Sequence, residues 1–500
     1  MKSPLSTSPW LIQSAFILIC LADSMAAEET EYFPQLIPDG YSVVTIPTPI
    51  DEQGREIQFG VGGIAIASDG SVVVAARTAG IWKYQNGIWS RFADGIHDPQ
   101  GIYLPDQDTR SVIVAQKPEL TLIRDLDEDG VADQYRTLCD QWRYAGNYCE
   151  YVHGPVVDST GNYYVNINLA DGNGFPASEK GGGAAMATTL GYDGWVAKIT
   201  PEGQFIPFAS GLRSPAGIGI RSNDELFYTD NQGGWVGSST LHQIVEGGFY
   251  GYPCSLLDKA EYRAGKKLDI EEFSQQRKQP VLWLPHGELV NSPGNPLFDE
   301  TGGKFGPFDG QVFIGCQTRS SIVRGNIEKV KGEYQGAVFN FIDHLQSGCI
   351  RITLDPQGKL WVGQTGRGWA SKGGKMFGLQ RIKWDGKTTP FEIHSIQLTS
   401  TGFQVNFTQA TDVSTLSNET IQVTSWHYHY HGQYGSPKVD EKILSADLES
   451  VAVDGRSLQF SVPLETGKVY GIQLKGVQSE KGQALGTAHG YYTLNNLLSD

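Results

Sequence analysis

The chain has 500 residues, with 61 glycines, 22 tyrosines, 11 tryptophans and few long apolar helical runs, a balance that favours an all-β protein of more than one domain. Its formal net charge of −16 lacks the basic footprint of a nucleic-acid binder, so no nucleic-acid partner is expected, whereas acidic loops suit divalent cations.

At the N-terminus, Lys2 supplies a short positive start, Trp10–Ala22 an apolar core and Ser24-Met25-Ala26 a small-x-small cleavage signal. Residues 1–26 therefore read as a signal peptide, and the protein as exported, periplasmic or extracellular. The apolar core is short for a membrane span and no later stretch is apolar enough, so no transmembrane anchor is expected after cleavage. A lipoprotein cleaved before Cys20 is opposed by Ile19, where a small residue is needed. Five cysteines remain: Cys139, Cys149, Cys254, Cys316 and Cys349. Export permits disulfides. Cys139–Cys149 is the nearest pair and Cys316–Cys349 a pair across neighbouring elements, which leaves Cys254 as the odd thiol; spacing does not fix the connectivity.

One pattern then recurs six times: a small residue, a short alternating strand, a polar turn, and a β-rich strand with polar or small residues at its end. The copies begin GIAIASDGSVVVAAR at Gly63, GIYLPDQDTRSVIVAQ at Gly101, GPVVDSTGNYYVNIN at Gly154, GIGIRSNDELFYTDN at Gly217, GNPLFDETGGKFGPFDGQVFIGCQ at Gly294 and CIRITLDPQGKLWVGQ at Cys349. Third strands follow most of them, as at Gly80–Tyr84, Gly194–Ile199 and Leu379–Trp384. A lone hairpin cannot bury both faces, but a ring of blades can. The pattern predicts a six-bladed β-propeller over residues 35–387, with a β-sandwich of coincidental hairpins as the alternative. Two insertions interrupt it. Asp171–Tyr192 is rich in Gly and Ala and reads as a long loop or lid. Leu256–Gln279 holds the best helical stretch, near Asp269–Arg277. From Pro390 the texture changes, and residues 390–480 read as a separate, small fibronectin- or Ig-like β-sandwich followed by a tail over 481–500.

In a propeller, the loop entering each innermost strand and the loop leaving the second strand open on one face around the axis. Before the first strands stand His97-Asp98, Val152-His153, Arg213-Ser214 and the stretch from His286 to Asn291. After the second strands stand Arg77, Asn166, Asp230-Asn231, Gln317, and Gln364 with Arg367. A single histidine before a strand is an ordinary turn residue, and a single arginine pairs with a nearby carboxylate. As a set, they place a ligand or active site on that face. Imidazole can take a proton from a hydroxyl, and arginine can hold a carboxylate or quinone oxygen through two N–H groups.

Two further clusters stand out. Asp125-Leu126-Asp127-Glu128-Asp129-Gly130-Val131-Ala132-Asp133 matches a Ca²⁺-binding loop up to its ninth position, and the metal set read from it is Asp125, Asp127, Asp129, Val131 and Asp133. Arg136 at position 12 excludes a full EF-hand; the expected role is structural, with a solvated acidic turn as the alternative. His427, His429 and His431 share one face of a strand, which would allow copper or zinc, but polar-face histidines on an exposed strand are the favoured reading. No nucleophile elbow and no HExxH is present.

Over residues 35–387 the chain resembles the glucose/sorbosone dehydrogenase family of soluble quinoproteins that use pyrroloquinoline quinone (PQQ), and within it the exported bacterial relatives labelled membrane-bound dehydrogenases. The carriers are His153-Gly154, GLRSPAGIGI from Gly211, ELFYTDNQGGW from Glu225, GGFYGYP from Gly247, the DLDEDGVAD loop, GRGWASKGGKMFGLQRIKW from Gly366 and YGSP from Tyr434. The resemblance implies oxidation of a sugar or alcohol hydroxyl by hydride transfer to PQQ beside Ca²⁺, with an electron-acceptor protein as a partner. It casts His153 as the base and Arg213 as the clamp on the quinone oxygens, with His97, Ser214, Asp230, Asn231, His286, Gln364 and Arg367 around the cofactor. The sequence departs from the family at Ser214, where asparagine is usual, and over Asp230–His242. A non-catalytic propeller that binds carbohydrate or protein is the alternative; a lactonase-type metal hydrolase would need more acidic and amide ligands at the axis.

Overall fold

The computed structural model describes residues 28–146, 148–171, 186–366 and 370–498. The predicted signal peptide, the central part of the predicted lid and Arg367 lie outside them. Each predicted hairpin pairs antiparallel and gains outer strands. The four sheets formed from Val61–Ile66 to Ile88–Ala93, Ile102–Tyr103 to Gln134–Cys139, Val152–Val157 to Phe205–Ser210, and Pro215–Ile220 to Leu282–Leu284 each have four strands. A fifth begins with Pro293–Phe298 and Val312–Cys316, and a sixth with Cys349–Leu354 and Leu360–Thr365. The first strands of all six touch in a closed ring, the arrangement of a six-bladed propeller. We number these sheets blades 1 to 6. The ring is closed by Tyr41–Ile46, which pairs antiparallel with Phe377–Trp384 of blade 6.

Second strands such as Val72–Ala76 and Ser111–Ala115 are buried throughout, because neighbouring blades cover both faces. The glycine that opens the repeat has a separate cause. A Cβ at Gly63 would meet the Gly101 backbone at 2.7 Å, and one at Gly101 would strike the Gly154 carbonyl, so the inner strands approach closely only without side chains there.

The C-terminal region is not separate from the propeller. In blade 5, Ser321–Val330 and Glu333–Ile342 run to 10 residues each. Their sheet continues through His489–Leu494, Lys468–Leu474, Ile421–His427 and Val439–Leu444, making eight strands in all. A second sheet, Ile393–Leu398, Gly402–Phe407, Ser457–Ser461 and Asp447–Val451, packs against it, and Phe339, Ile396, Phe403, Tyr470 and Tyr492 share the core between them. The predicted tail is corrected accordingly: His489–Leu494 buries Tyr491, Tyr492 and Leu494 and joins blade 5 to the rest of the sheet. Arg324, fully buried between Phe308 and Phe339, donates to the carbonyls of Ile393 and His394 and ties the two regions together.

The helix expected near Asp269–Arg277 forms over Ile270–Gln276, capped by the Asp269 carboxylate, which accepts from the Glu271 and Glu272 amides. No helix among the described residues is long and apolar enough to cross a membrane. Neither predicted disulfide forms. Cys139 is a buried thiol packed beside Trp142; Cys316 accepts from the Asn291 amide, and Cys349 points its thiol at the Ser347 carbonyl. Cys254 is a buried thiol as expected.

Candidate functional site

Around the axis, on the face reached by the loops before the first strands and after the second, lies a cavity of about 200 Å³. Arg77 and Gln100 reach it from blades 1 and 2; Tyr151, His153 and Asn168 from blade 3; Arg213, Ser214, Asn231 and Gln232 from blade 4; and His286, Asn291, Ser292 and Gln317 from blade 5. Tyr434 comes from the C-terminal region. Among the described residues no carboxylate lines this cavity.

Arg77 is neutralised within the protein. Its Nε donates to Asp98 at 2.8 Å and its Nη2 to the Tyr151 hydroxyl at 3.1 Å, and these partners outweigh burial and raise its pKa. A third arginine, Arg351, comes from the first strand of blade 6 and crosses the axis. Its Nε donates to the Gly62 carbonyl at 2.6 Å, its Nη1 to the Ala216 and Ile350 carbonyls, and its Nη2 to the Gln100 carbonyl at 3.0 Å. The same Nη2 lies 2.7 Å from His153 Nδ1. His153 is buried, and burial, Arg351 and Arg77 together push its pKa well below the ordinary value.

Arg213 is the cation held open. Its side chain lines the cavity with 8 % of its surface exposed, and among the described residues its guanidinium makes no ion pair. One of its faces lies on the Gly233 backbone, where an added Cβ would sit 2.5 Å from Nη2 and nearer still to Nε and Cζ. Its Cζ stands 5.3 Å from the centre of the Tyr434 ring. The loop that carries Tyr434 is docked on blade 4: Gly435 donates to the Gly233 carbonyl at 3.0 Å, Trp235 to His431 at 2.8 Å, and Tyr430 to Gly251 at 2.6 Å. The C-terminal region thus supplies one wall of the axial site.

Asp230 sets the backbone of this corner rather than lining it. Its carboxylate accepts the amides of Arg213 and Ser214 at 2.8 Å each and of Asn231 at 2.9 Å. The Asn231 amide group donates to the Ser214 carbonyl at 2.6 Å, while its Oδ1 is buried without a partner.

Of the residues singled out in the sequence, Arg77, His153, Arg213, Ser214, Asn231, His286, Asn291 and Gln317 meet in this cavity. His97 does not: its ring packs edge-on against Tyr144, and its amide donates to the Gln116 side chain at 2.7 Å. Gln364 faces into blade 6, where its amide donates to Gln380 at 2.9 Å and accepts from Gln346 at 3.1 Å. Strand alternation turned Gln364, in Leu360–Thr365, away from the face its position suggested, whereas His97 lies in the loop ahead of Ile102–Tyr103. Arg367 lies outside the described residues.

In the predicted Ca²⁺ loop, carboxylate oxygens of Asp125, Asp127 and Asp133 gather within 4.8 Å of one another. The Asp129 carboxylate, which accepts the Val131 amide at 2.8 Å, lies outside that side-chain group. The loop joins the third and fourth strands of blade 2 and therefore lies on the face opposite the cavity. The His427–His431 run forms no metal-binding group among the described residues.

No protein-family model matches the chain, and no curated protein matches it. Solved structures are similar to it in fold. The apo form of the soluble aldose sugar dehydrogenase of Escherichia coli is 15 % identical, with 69 % of this chain and 99 % of that one covered and a TM-score of 0.49. The PQQ-bound aldose sugar dehydrogenase of Streptomyces coelicolor is 16 % identical over 69 % of this chain and 99 % of that one, with a TM-score of 0.47. The holo PQQ domain of pyranose dehydrogenase from Coprinopsis cinerea is 14 % identical over 70 % and 98 %, with a TM-score of 0.49.

Sequence reasoning missed Arg351, Gln100, Tyr151 and Tyr434. A signal for Arg351 was present. Blades 1 to 4 open on glycine near the axis, while blade 6 reads Cys349-Ile350-Arg351, a long cation in an otherwise apolar inner strand. Tyr434 stood out only as the start of YGSP, and its approach to blade 4 was not legible because it depends on how the two regions join.

Proposed function

We propose that the axial cavity binds a small, anionic, oxygen-rich molecule, and that the protein is a sugar or alcohol oxidoreductase built on that site. The observation that carries the binding reading is Arg213: a nearly buried guanidinium with no carboxylate in ion-pair contact, in a cavity whose lining has no carboxylate, the buried Asp230 acting on it only through space. A cation held in this way lacks most of its hydration, and an anionic ligand restores the missing partner. The redox half of the reading draws on the motifs around His153, Gly211–Pro253 and Gly366–Trp384.

PQQ bears carboxylates and adjacent quinone oxygens, all of them acceptors, and the donor set of Arg213, Gln232 and Gln317 suits that charge and polarity. These residues would hold it, and when bound it would supply a two-electron acceptor for the hydrogen on a carbinol carbon. Calcium beside it does not fit, since the lining offers no carboxylate; we propose Ca²⁺ instead at Asp125, Asp127 and Asp133, with a structural role. In the cavity, Arg213 orients the anionic group and Tyr434 excludes water from one side of the guanidinium. His286 stands exposed on the rim, and burial of part of its ring and Arg319 keep it neutral, which leaves it able to receive the hydroxyl proton. On the reading of residues 1–26, this activity lies outside the cytoplasm.

Calorimetric titration with PQQ and with the sugar acid gluconate, for the wild type and Arg213→Ala, tests the binding reading; a dye-linked assay over a sugar panel tests the redox half. Saturable wild-type binding that is lost in the variant supports the site. Equal binding by both proteins, or none by the wild type, rejects it. Binding without turnover selects the second reading, a non-catalytic sugar-acid binder. The commitment of His153 Nδ1 to Arg351 favours that second reading.

A further inference from the structure

We infer that Arg351 fixes His153 as a neutral imidazole protonated on Nε2, so that the axial cavity presents this histidine to its ligand as a hydrogen-bond donor and not as a proton acceptor. The argument is one of donors and lone pairs. A guanidinium has five N–H donors and no acceptor. Arg351 is oriented from three sides by the carbonyls of Gly62, Gln100 and Ala216, so it cannot rotate away. Its Nη2 lies 2.7 Å from His153 Nδ1, and at that distance one of the two nitrogens must accept. Only Nδ1 can. A proton on Nδ1, in the other neutral tautomer or in the imidazolium, would set two donors against each other.

The charged and polar groups around the ring agree. Arg351 and Arg77 both oppose a positive charge there, the Tyr151 ring stands 6.1 Å away, and only the Gln100 carbonyl favours an added proton. Nε2–H is then the one ring donor that can serve a ligand in the cavity that His153 lines, in competition with the Gln100 carbonyl beside the ring. It selects carboxylate, quinone or carbonyl oxygens, in line with Arg213 in the same cavity, and it cannot remove a proton from a hydroxyl. This reverses the base role that the family resemblance assigned to His153. The donor role rests on the reading of the cavity as a binding site; the tautomer does not.

The test is histidine-selective ¹⁵N labelling with long-range ¹H–¹⁵N correlation, the His153 signals being assigned by loss in His153→Gln. The expected spectrum has an unprotonated Nδ1 and a protonated Nε2, with no shift between about pH 5 and 8, where an ordinary histidine titrates. A proton on Nδ1, or a titration midpoint inside that range, would overturn the inference. In Arg351→Met, Nδ1 loses its donor, so the ring should populate the Nδ1–H tautomer in part, while burial and Arg77 still hold its pKa below the ordinary value; a folded variant whose tautomer matches the wild type would also overturn it. If that variant does not fold, the wild-type spectrum decides alone. A locked tautomer in a protein that binds neither PQQ nor gluconate would reject the proposed function and leave this inference standing. Ligand binding by a protein whose His153 titrates would do the reverse.

Discussion

Gly233→Ala separates the role of Arg213 from its mere presence. The added methyl would lie 2.5 Å from Nη2 and closer to Nε and Cζ, so the guanidinium must leave its seat between Gly233 and Tyr434. The backbone itself tolerates alanine, since Gly233 is not in the left-handed region. The obstruction falls on the end of a flexible side chain, so stability should change by no more than about 1 kcal/mol. The ligand loses a charge-assisted hydrogen-bond partner worth about 1.5–3 kcal/mol, which corresponds to gluconate or PQQ binding weakened about 10- to 150-fold. Calorimetric titration beside a urea denaturation curve reads both quantities. Wild-type affinity in a folded Gly233→Ala protein would refute the view that the seat of Arg213 defines the site.

Other outcomes follow from single contacts. Tyr434→Ala removes a ring that is 71 % exposed, so the midpoint of unfolding should hold while anion affinity falls about 2- to 5-fold, the range of an exposed cation–π contact. Asp230→Asn leaves one acceptor oxygen for three backbone amides, and urea unfolding should show a loss of about 2–4 kcal/mol. Burial raises Asp193 from 3.8 to about 6, so its contribution is full below the lower value and is lost as pH rises through the upper one. Stability should therefore increase on acidification across that window by up to about 3 kcal/mol, and Asp193→Asn should flatten the profile. Removing Ca²⁺ with a chelator should lower the unfolding midpoint but leave axial ligand affinity unchanged, because Asp125, Asp127 and Asp133 lie on the opposite face. Asp125→Asn should abolish that chelator effect.

Most of the architecture was legible because each blade is local. A hairpin such as Gly63–Ala76 carries its own turn and alternation, and six copies leave few other ways to bury both faces. What escaped depends on distant pairings. The closure of blade 6 by Tyr41–Ile46 joins segments more than 300 residues apart, and nothing in YSVVTI names its partner. The tail was misread for the same reason: HGYYTL alternates weakly by itself and becomes a strand because blade 5 and Lys468–Leu474 offer edges on both sides. Within the site, position before or after a strand correctly gathered His153, Arg213, Ser214, Asn231 and His286. It failed for His97 and Gln364, where the direction of the side chain decides, and for Asp230, whose carboxylate serves the backbone. The role of His153 was beyond pattern reading, since it depends on Arg351, 198 residues away in sequence.

The central claim is that a single axial cavity receives an acceptor-rich anion on Arg213 and the Nε2–H of His153. A crystal structure of the protein soaked with gluconate tests it most directly. The expected result is a carboxylate within hydrogen-bonding distance of both groups, about 2.7–3.2 Å. Ligand density bound elsewhere, or an axial ligand turning hydroxyl donors towards His153 Nε2, would contradict it.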